Sequence, residues 1–337
     1  MTAPTGGLGL GLIVFAKILA MFVVLFTGFF LRRGRAITDE MTATLSQLIT
    51  DLIFPALVIA KLIDLVSWQT VRESASVFIV GAVILLFGIA VAGIYGRLLL
   101  PPASRRSGAF LVAIPNWIFM PLPIVQTLYG PPGVRALLLI NVSMQFILWT
   151  CGIWMLQRGV ADAHPLDQLR KNRGLQATAV ALVLGIVLPA ASSLPATDAI
   201  QTTIKIARAL LDGIDILGSL TIPLSLLVIG AQLGGLSEKH VTDSRTLGIV
   251  IAGRLLVLPI LSAIVLTLMR RFGLSGPEVV QNVALIIVTM PIAVTCGAFL
   301  ERFNGDVPLG ARAIFLSTIG SIVTVPAIVV AVQHIWK

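Results

Sequence analysis

Long apolar runs separated by short polar connections fill almost the whole chain. A hydrophobic stretch of about 20 residues crosses the hydrocarbon core of a bilayer as an α-helix, and runs of this length exclude the shorter alternating strands of a β-barrel. The less apolar residues 198–212 are predicted as an interfacial helix. The pattern predicts ten transmembrane spans, at residues 8–31, 42–60, 76–100, 108–129, 134–156, 176–194, 214–233, 247–269, 279–300 and 311–332.

The composition agrees with an all-α polytopic membrane protein. Hydrophobic residues make up 57% of the 337 residues and charged residues only 12%, with a mean hydropathy of +1.00. The first apolar run is not preceded by a basic segment, so we expect it to stay as a helix rather than to be cleaved as a signal. We divide the chain into a first five-helix repeat at 1–157, a cytoplasmic connecting loop at 158–175, and a second repeat at 176–337.

The net charge of +9 is distributed as topology signals rather than as a nucleic-acid surface. Lys and Arg lie in short runs at the ends of apolar segments, and cytoplasmic loops retain such residues. Fourteen of them lie in or next to the loops after the odd-numbered spans, whereas eight lie in the loops or termini on the opposite side of the membrane. The pattern predicts a multi-pass protein of the cytoplasmic membrane with both termini outside, with the lipid bilayer as a partner and no nucleic acid.

The fourth predicted span has an unusual sequence for a membrane helix. Residues 113–129, AIPNWIFMPLPIVQTLY, carry Pro115, Pro121 and Pro123, each of which lacks a backbone donor. Proline clashes with the preceding helical turn, so we expect these three to unwind the helix and free peptide groups inside the bilayer. Irregular backbone at that depth is tolerated only in a protein interior or beside a wet cavity, so the stretch is predicted to form a binding site.

The two halves of the chain share an internal repeat. Because each half has five predicted spans, the second copy starts on the opposite side of the membrane and is inverted. In such folds two discontinuous helices meet near the midplane and form the substrate site, which here predicts crossover helices at spans four and nine. The matched pairs are Pro55 with Pro223, Pro115 with Pro291, Gly130 with Gly305, and Arg135 with Arg312.

Four segments in the same order resemble the auxin efflux carrier family, which includes the plant PIN proteins and bacterial permeases. They are IPNWIFMPLPI at 114–124, MQFILW at 144–149, GRLLVLP at 253–259 and TMPIAV at 289–294. The resemblance implies ten helices, a scaffold domain and a crossover transport domain. It also implies a homodimer and elevator-type export or exchange of an organic anion, with an auxin-like or a malate- or malonate-like carboxylate as the substrate.

Two features depart from the plant members of that family. The long hydrophilic loop of the long plant proteins is missing, so phosphorylation control through it is not expected. Ile292 stands where the plant ninth helix has a polar residue after its proline, which favours a small carboxylate over auxin itself.

The predicted substrate site combines the two breaks with polar residues of span five. Asn116 is able either to bond a substrate carboxylate or to cap freed backbone of the opposing helix. Asn141 and Gln145 lie one helical turn apart and either line a cavity or bond between helices, and Trp117 either stacks on a substrate or packs. The full predicted set is Pro115, Asn116, Trp117, Ile118, Asn141, Gln145, Met290, Pro291, Ile292 and Ala293.

Charges inside apolar spans point to a coupling or pairing role. Lys17 and Arg254 have long stems that are able to reach a membrane face, so a structural role is as good an interpretation as a functional one. Asp51, four residues before Pro55, is interpreted as a proton carrier, a Na⁺ ligand or a partner of Lys17. The hydroxyls of Thr289 and Thr295 are further candidate ligands for Na⁺. The possible coupling ion is therefore H⁺ or Na⁺.

Other classes of function fit the sequence less well. All three histidines, at positions 164, 240 and 334, lie in predicted loops or at the terminus, and the two cysteines lack metal-ligand spacing. We therefore expect no enzyme, no metal site and no cofactor. The remaining alternatives are a sodium-coupled symporter of the bile-acid type and a membrane sensor that uses the same site without transport.

Overall fold

The structure is a computed structural model, and it describes residues 7–63, 75–157, 173, 176–177, 179–181, 183–184, 198–235, 243–274 and 276–336. Within these ranges the chain is helical, and its only extended pairing is one isolated bridge. The all-helical prediction is confirmed for this part of the chain. The connecting loop at 158–175 and the predicted sixth span at 176–194 lie largely outside the described residues.

The helices follow the predicted apolar runs. Three π-helical turns, Ile49–Ile53, Leu148–Gly152 and Gly253–Val257, join α2 to α3, α6 to α7 and α10 to α11, so each pair is one continuous helix. The α-helices, numbered along the chain, are α1 Gly7–Arg33, α2 Asp39–Leu48, α3 Phe54–Ile63, α4 Ala75–Leu99, α5 Arg105–Ala113, α6 Pro121–Ile147, α7 Ile153–Gln157, α8 Asp198–Ser219, α9 Thr221–Gly234, α10 Ser244–Ala252, α11 Leu258–Arg271, α12 Glu278–Thr289, α13 Thr295–Arg302 and α14 Val307–Trp336.

Six helical segments of the described residues are long and apolar enough to cross a membrane. The chain is thus a multi-pass membrane protein, whereas the count of ten spans stays a prediction. Residues 198–212 are helical, but they open the longer helix α8 rather than forming a separate one. The six segments are Asp39–Lys61, Ser76–Leu99, Pro121–Leu156, Lys205–Gly234, Ser244–Arg271 and Val307–Trp336.

Helices α1 and α9 pack backbone against backbone through glycines. A Cβ atom on Gly28 would overlap the carbonyl of Leu227, and one on Gly230 would overlap the carbonyl of Leu25. Small residues allow such close approach in membranes, where packing rather than water exclusion holds helices together. The pair α1–α9 is therefore fixed by the lack of side chains at these two positions.

Helices α3 and α8 form a second close pair beside the first. Lys61 Nζ of α3 lies 2.6 Å from Asp215 Oδ1 of α8, and the Thr221 hydroxyl donates to the Ile53 carbonyl at 3.3 Å. These bonds tie the end of span two to the start of span seven. Helices α1, α2, α3, α8 and α9 together are called the first helix group below.

The second helix group consists of α4–α7 and α10–α14. Helix α12 contacts α4, α6, α11 and α14, and α4 also contacts α5, α6 and α11. Its apolar centre includes Phe110, Ile114, Leu285 and Met290, which have no exposed surface. Because Ile114 and Met290 belong to the interruptions between helices, both interruptions lie in the middle of this group.

Candidate functional site

The first interruption, between α5 and α6, is caused by Pro115. A residue before proline is disfavoured in the helical region, and Ile114 is extended at φ −99° and ψ 101°. The prediction that three prolines unwind the helix is wrong for two of them. Pro121 is the first residue of α6 and Pro123 lies in its first turn, where a missing N–H removes no helical hydrogen bond.

The second interruption, between α12 and α13, has the same local cause. Met290 precedes Pro291 and is extended at φ −65° and ψ 151°, so α12 ends at Thr289. Helix α13 begins only at Thr295. Five residues are therefore non-helical in the centre of the second group.

The two interruptions lie side by side and pair as a short antiparallel bridge. Asn116 N donates to the Pro291 carbonyl at 2.8 Å, and Ala293 N donates to the Ile114 carbonyl at 3.1 Å, with Pro115 opposite Ile292. Each interruption thus supplies one backbone donor and one backbone acceptor to the other, which pairs groups that the breaks would otherwise leave without a partner at this depth.

Ser317 of α14 completes the backbone pairing at the bridge. Ile292 N, which has no partner on the facing strand, donates to Ser317 Oγ at 3.3 Å. The same hydroxyl donates to the Ile314 carbonyl of its own helix at 3.1 Å and is fully buried. The sequence analysis missed Ser317, because a serine within an apolar run carries no sign of its tertiary partner.

A cavity of about 730 Å³ adjoins one side of the bridge. Its lining combines residues of both interruptions with helices of the first group, so it lies between the two helix groups. Aromatic walls come from Phe54, Phe119, Trp149 and Phe299, and polar side chains include Thr42, Ser46, Ser225 and Gln232. Two of these residues, Ser225 and Trp149, have a buried hydrogen-bonding group, Oγ and Nε1 respectively, with no partner in the described protein.

Charged side chains also line the cavity. Arg32 and Arg173 are its cations, and Asp39, Asp51 and Glu301 are its anions. Arg32 pairs with Asp39, which leaves Asp51 and Glu301 as the acidic groups outside that pair. The charge of the lining is therefore mixed rather than uniformly positive.

Asn116 and Trp117 enter the cavity at the bridge. Asn116 is 4% exposed, and its Oδ1 accepts a long hydrogen bond of 3.5 Å from Met120 N, so it caps the start of its own second half-helix rather than the opposing helix. Trp117 Nε1 donates to Asn141 Oδ1 at 3.0 Å. The Trp117 ring thus faces the cavity while its N–H is directed into the protein.

A comparison with protein families assigns residues 13–329 to the membrane transport proteins, the family of the auxin efflux carriers. The chain belongs to this membrane transport protein family. A search of curated proteins finds no match to the chain. The family assignment confirms the resemblance inferred from the sequence. Members of this family are membrane transporters, so the cavity is considered below as a transport site.

In this transporter about half of the residues predicted to form the site line the cavity. They come from both interruptions, from span two and from span five. The predicted residues that line the cavity are Asp51, Pro115, Asn116, Trp117, Ile118, Gln145, Ala293 and Thr295.

The other predicted substrate residues of the transporter lie behind the cavity wall. Asn141 is 1% exposed and holds Trp117, and Met290 and Ile292 are fully buried at the bridge. Pro291 contributes its carbonyl to the bridge rather than a surface to the cavity. The one-turn spacing of Asn141 and Gln145 places them on one face, but the helix approaches the cavity only near Gln145.

Some of the predicted coupling and ion-binding residues likewise line the cavity and others are buried away from it. Asp51 lies in the π-helical turn at the cavity, whereas the side chain of Lys17 lies outside the described residues, so their pairing is not tested. Thr289 is buried and its hydroxyl donates to the Ile286 carbonyl at 2.8 Å, while Thr295 lines the cavity. Arg254 is buried and bonds only backbone carbonyls among the described partners.

Trp149, Phe299 and Ser225 were not predicted as site residues. Trp149 and Phe299 pack edge to face with centroids 5.2 Å apart, and they come from spans five and nine. A single aromatic or serine in an apolar run is common, so only the fold identifies these three as cavity residues.

Proposed function

We propose that this chain is a secondary active transporter that moves a small organic anion across the cytoplasmic membrane. The observation that carries the proposal is the pair of interrupted helices bridged at the wall of a 730 Å³ cavity. Interrupted helices at membrane depth serve transporters as binding sites, because their free ends interact with substrate or ions.

The polarity of the half-helices supports an anionic substrate. Helices α6 and α13 start beside the bridge, and a helix N-terminus carries partial positive charge and free N–H groups. The two interrupted segments, residues 108–129 and 279–300, contain no carboxylate, and the cavity's acidic groups outside the Arg32–Asp39 pair, Asp51 and Glu301, lie outside these segments. Asn116 and Gln145 supply side-chain amides that are able to donate to a carboxylate.

The cavity supports a mono- or dicarboxylate with some apolar surface. Its volume is within the range of small-molecule sites. This volume is larger than a three- or four-carbon diacid needs. Aromatic walls interact with an apolar ligand body, and polar groups fix its orientation. Auxin-like and malate- or malonate-like carboxylates are both compatible with this lining.

We propose an elevator-type mechanism based on an inverted repeat. The bridge pairs Pro115 with Ile292, the residue after Pro291, so it lies at the two prolines matched between the halves, and it is wholly within the second helix group. The cavity lies between that group and the first, so sliding of the second group against the first would carry a bound ligand. Asp51 of the first group remains the proposed coupling residue for H⁺ or Na⁺.

The proposal is tested by counterflow in proteoliposomes across a panel of labelled carboxylates. We expect saturable exchange of at least one, and Asn116→Ala and Gln145→Ala should raise its KM about tenfold, the loss of roughly one hydrogen bond to a charged group. Gln126→Ala is the matched control, because Gln126 is exposed on the same helix α6 and does not line the cavity. Absence of saturable exchange for every carboxylate would refute the proposal.

A further inference from the structure

Each interrupted helix ends with backbone carbonyls that have no helical partner. The last four carbonyls of any α-helix lack an intrahelical donor and carry about half a negative charge in total. In α5 the Phe110 carbonyl accepts from Ile114 N, and in α12 the Ile287 carbonyl accepts from Met290 N. The carbonyls of Val112 and Val288 are among those that have no such local bond.

One side chain bonds both of these carbonyls. Arg254 Nη1 donates to the Val112 carbonyl at 3.1 Å, and Nη2 donates to the Val288 carbonyl. Val112 lies three residues before Pro115, and Val288 lies three residues before Pro291, so the two carbonyls are equivalent in the two halves. The planar guanidinium suits this task, because its donors form a fixed fork.

The charge of Arg254 matches the two helix ends. Its side chain is 1% exposed, and among the described residues no carboxylate pairs with it. A buried, uncompensated cation is unfavourable, but two helix C-termini with about half a negative charge each sum to roughly one charge of opposite sign. The ends of α5 and α12 are therefore the counter-charge of Arg254.

Arg254 does not belong to the substrate cavity. It is not among the cavity-lining residues, and it lies in the π-helical turn Gly253–Val257 of span eight. Both of its hydrogen bonds go to the C-terminal ends of the half-helices, whereas the cavity adjoins the N-terminal ends of α6 and α13. Cys296, which is buried in the first turn of α13 and does not line the cavity, also lies near its guanidinium. In secondary transporters the C-terminal ends of half-helices are where coupling cations are coordinated.

We propose that Arg254 is a built-in cation that joins the two half-helix ends and takes the place that a bound coupling cation would occupy between them. It is a positioning residue: it fixes α5 against α12 and thereby keeps the bridge and the cavity wall in one geometry. Its effect on stability is independent of the proposed transport function, whereas its effect on transport rests on that function.

The test uses the full chain with Arg254→Ala and Arg254→Lys, with Arg271→Ala as the matched control because Arg271 is exposed at the end of α11. Thermal unfolding in detergent is measured in sodium chloride and in choline chloride. We expect Arg254→Ala to unfold at a lower temperature in choline and to regain part of the loss in sodium. The Lys variant and Arg271→Ala should respond to the change of cation only as much as the wild-type protein does.

Counterflow of the best carboxylate provides the second measurement. We expect Arg254→Ala to be slower in choline by about tenfold, which corresponds to about 1.4 kcal/mol, with partial recovery in sodium. Arg254→Lys should retain most of the rate, and it keeps the test informative where the Ala variant does not fold. A sodium dependence of the unfolding temperature in Arg254→Ala no larger than that of the wild-type protein, or an unchanged rate and stability in Arg254→Ala, would overturn the inference. Absence of counterflow in the wild-type protein alone would refute the proposed function and leave the unfolding test intact.

Discussion

The hydrogen bond from Trp117 to Asn141 gives the sharpest test of how the cavity wall is held. The bond is 3.0 Å long, and its two side chains are 7% and 1% exposed. Asn141→Leu replaces the acceptor by an apolar side chain of similar size and leaves the indole N–H without its partner. An unsatisfied buried donor costs about 1–3 kcal/mol, and burial of the leucine offsets part of that cost.

A double-mutant cycle isolates the bond from these other effects. The free energy of unfolding in mixed micelles is measured for the wild-type protein, Trp117→Phe, Asn141→Leu and the double variant. Hydrogen bonds between membrane helices average about 0.6 kcal/mol in such cycles, with values up to about 1.7 kcal/mol. We expect a coupling at the upper end of this range, because both side chains are shielded from solvent.

The same variants separate packing from substrate binding at Asn141. Because Asn141 lies behind Trp117, we expect Asn141→Leu to lower stability while changing the KM of a transported carboxylate less than Gln145→Ala does. Gln126→Leu, at an exposed position of the same helix, should change neither quantity. Additive effects of Trp117→Phe and Asn141→Leu, within about 0.3 kcal/mol, would refute a stabilising bond.

Two further predictions concern the frame around the site. Gly218→Ala should destabilise the protein by about 1–3 kcal/mol, because a Cβ there would lie 2.7 Å from the Leu57 backbone. Gly213→Ala on the same helix has open space around the new Cβ and should be tolerated. Equal unfolding temperatures of the two variants would contradict this prediction. Asp306→Ala should cost about 0.5–2 kcal/mol, because Asp306 Oδ1 caps α14 by accepting from Leu309 N at 3.0 Å. Asp306→Asn should retain most of that stability in the same unfolding measurement, and a loss as large as that of the alanine variant would exclude the capping role.

The sequence by itself determined the class of protein and the positions of the interruptions. Apolar runs of membrane length are a local property, so the helical, multi-pass architecture follows from them directly. Proline acts on the residue before it, so the breaks at Ile114 and Met290 are also local. Matching Pro115 to Pro291 made the second break visible once the first had been noticed.

Only the tertiary structure decided which partners the freed groups find. The sequence placed Asn141 and Gln145 on one face of a helix, but the packing of Trp117 left only Gln145 at the cavity. It marked Arg254 as a costly charge without indicating that two distant carbonyls, of Val112 and Val288, are its counter-charge. Helix ends and prolines depend on neighbouring residues, whereas these contacts join segments far apart in the chain, and a single sequence carries no signal for such pairs.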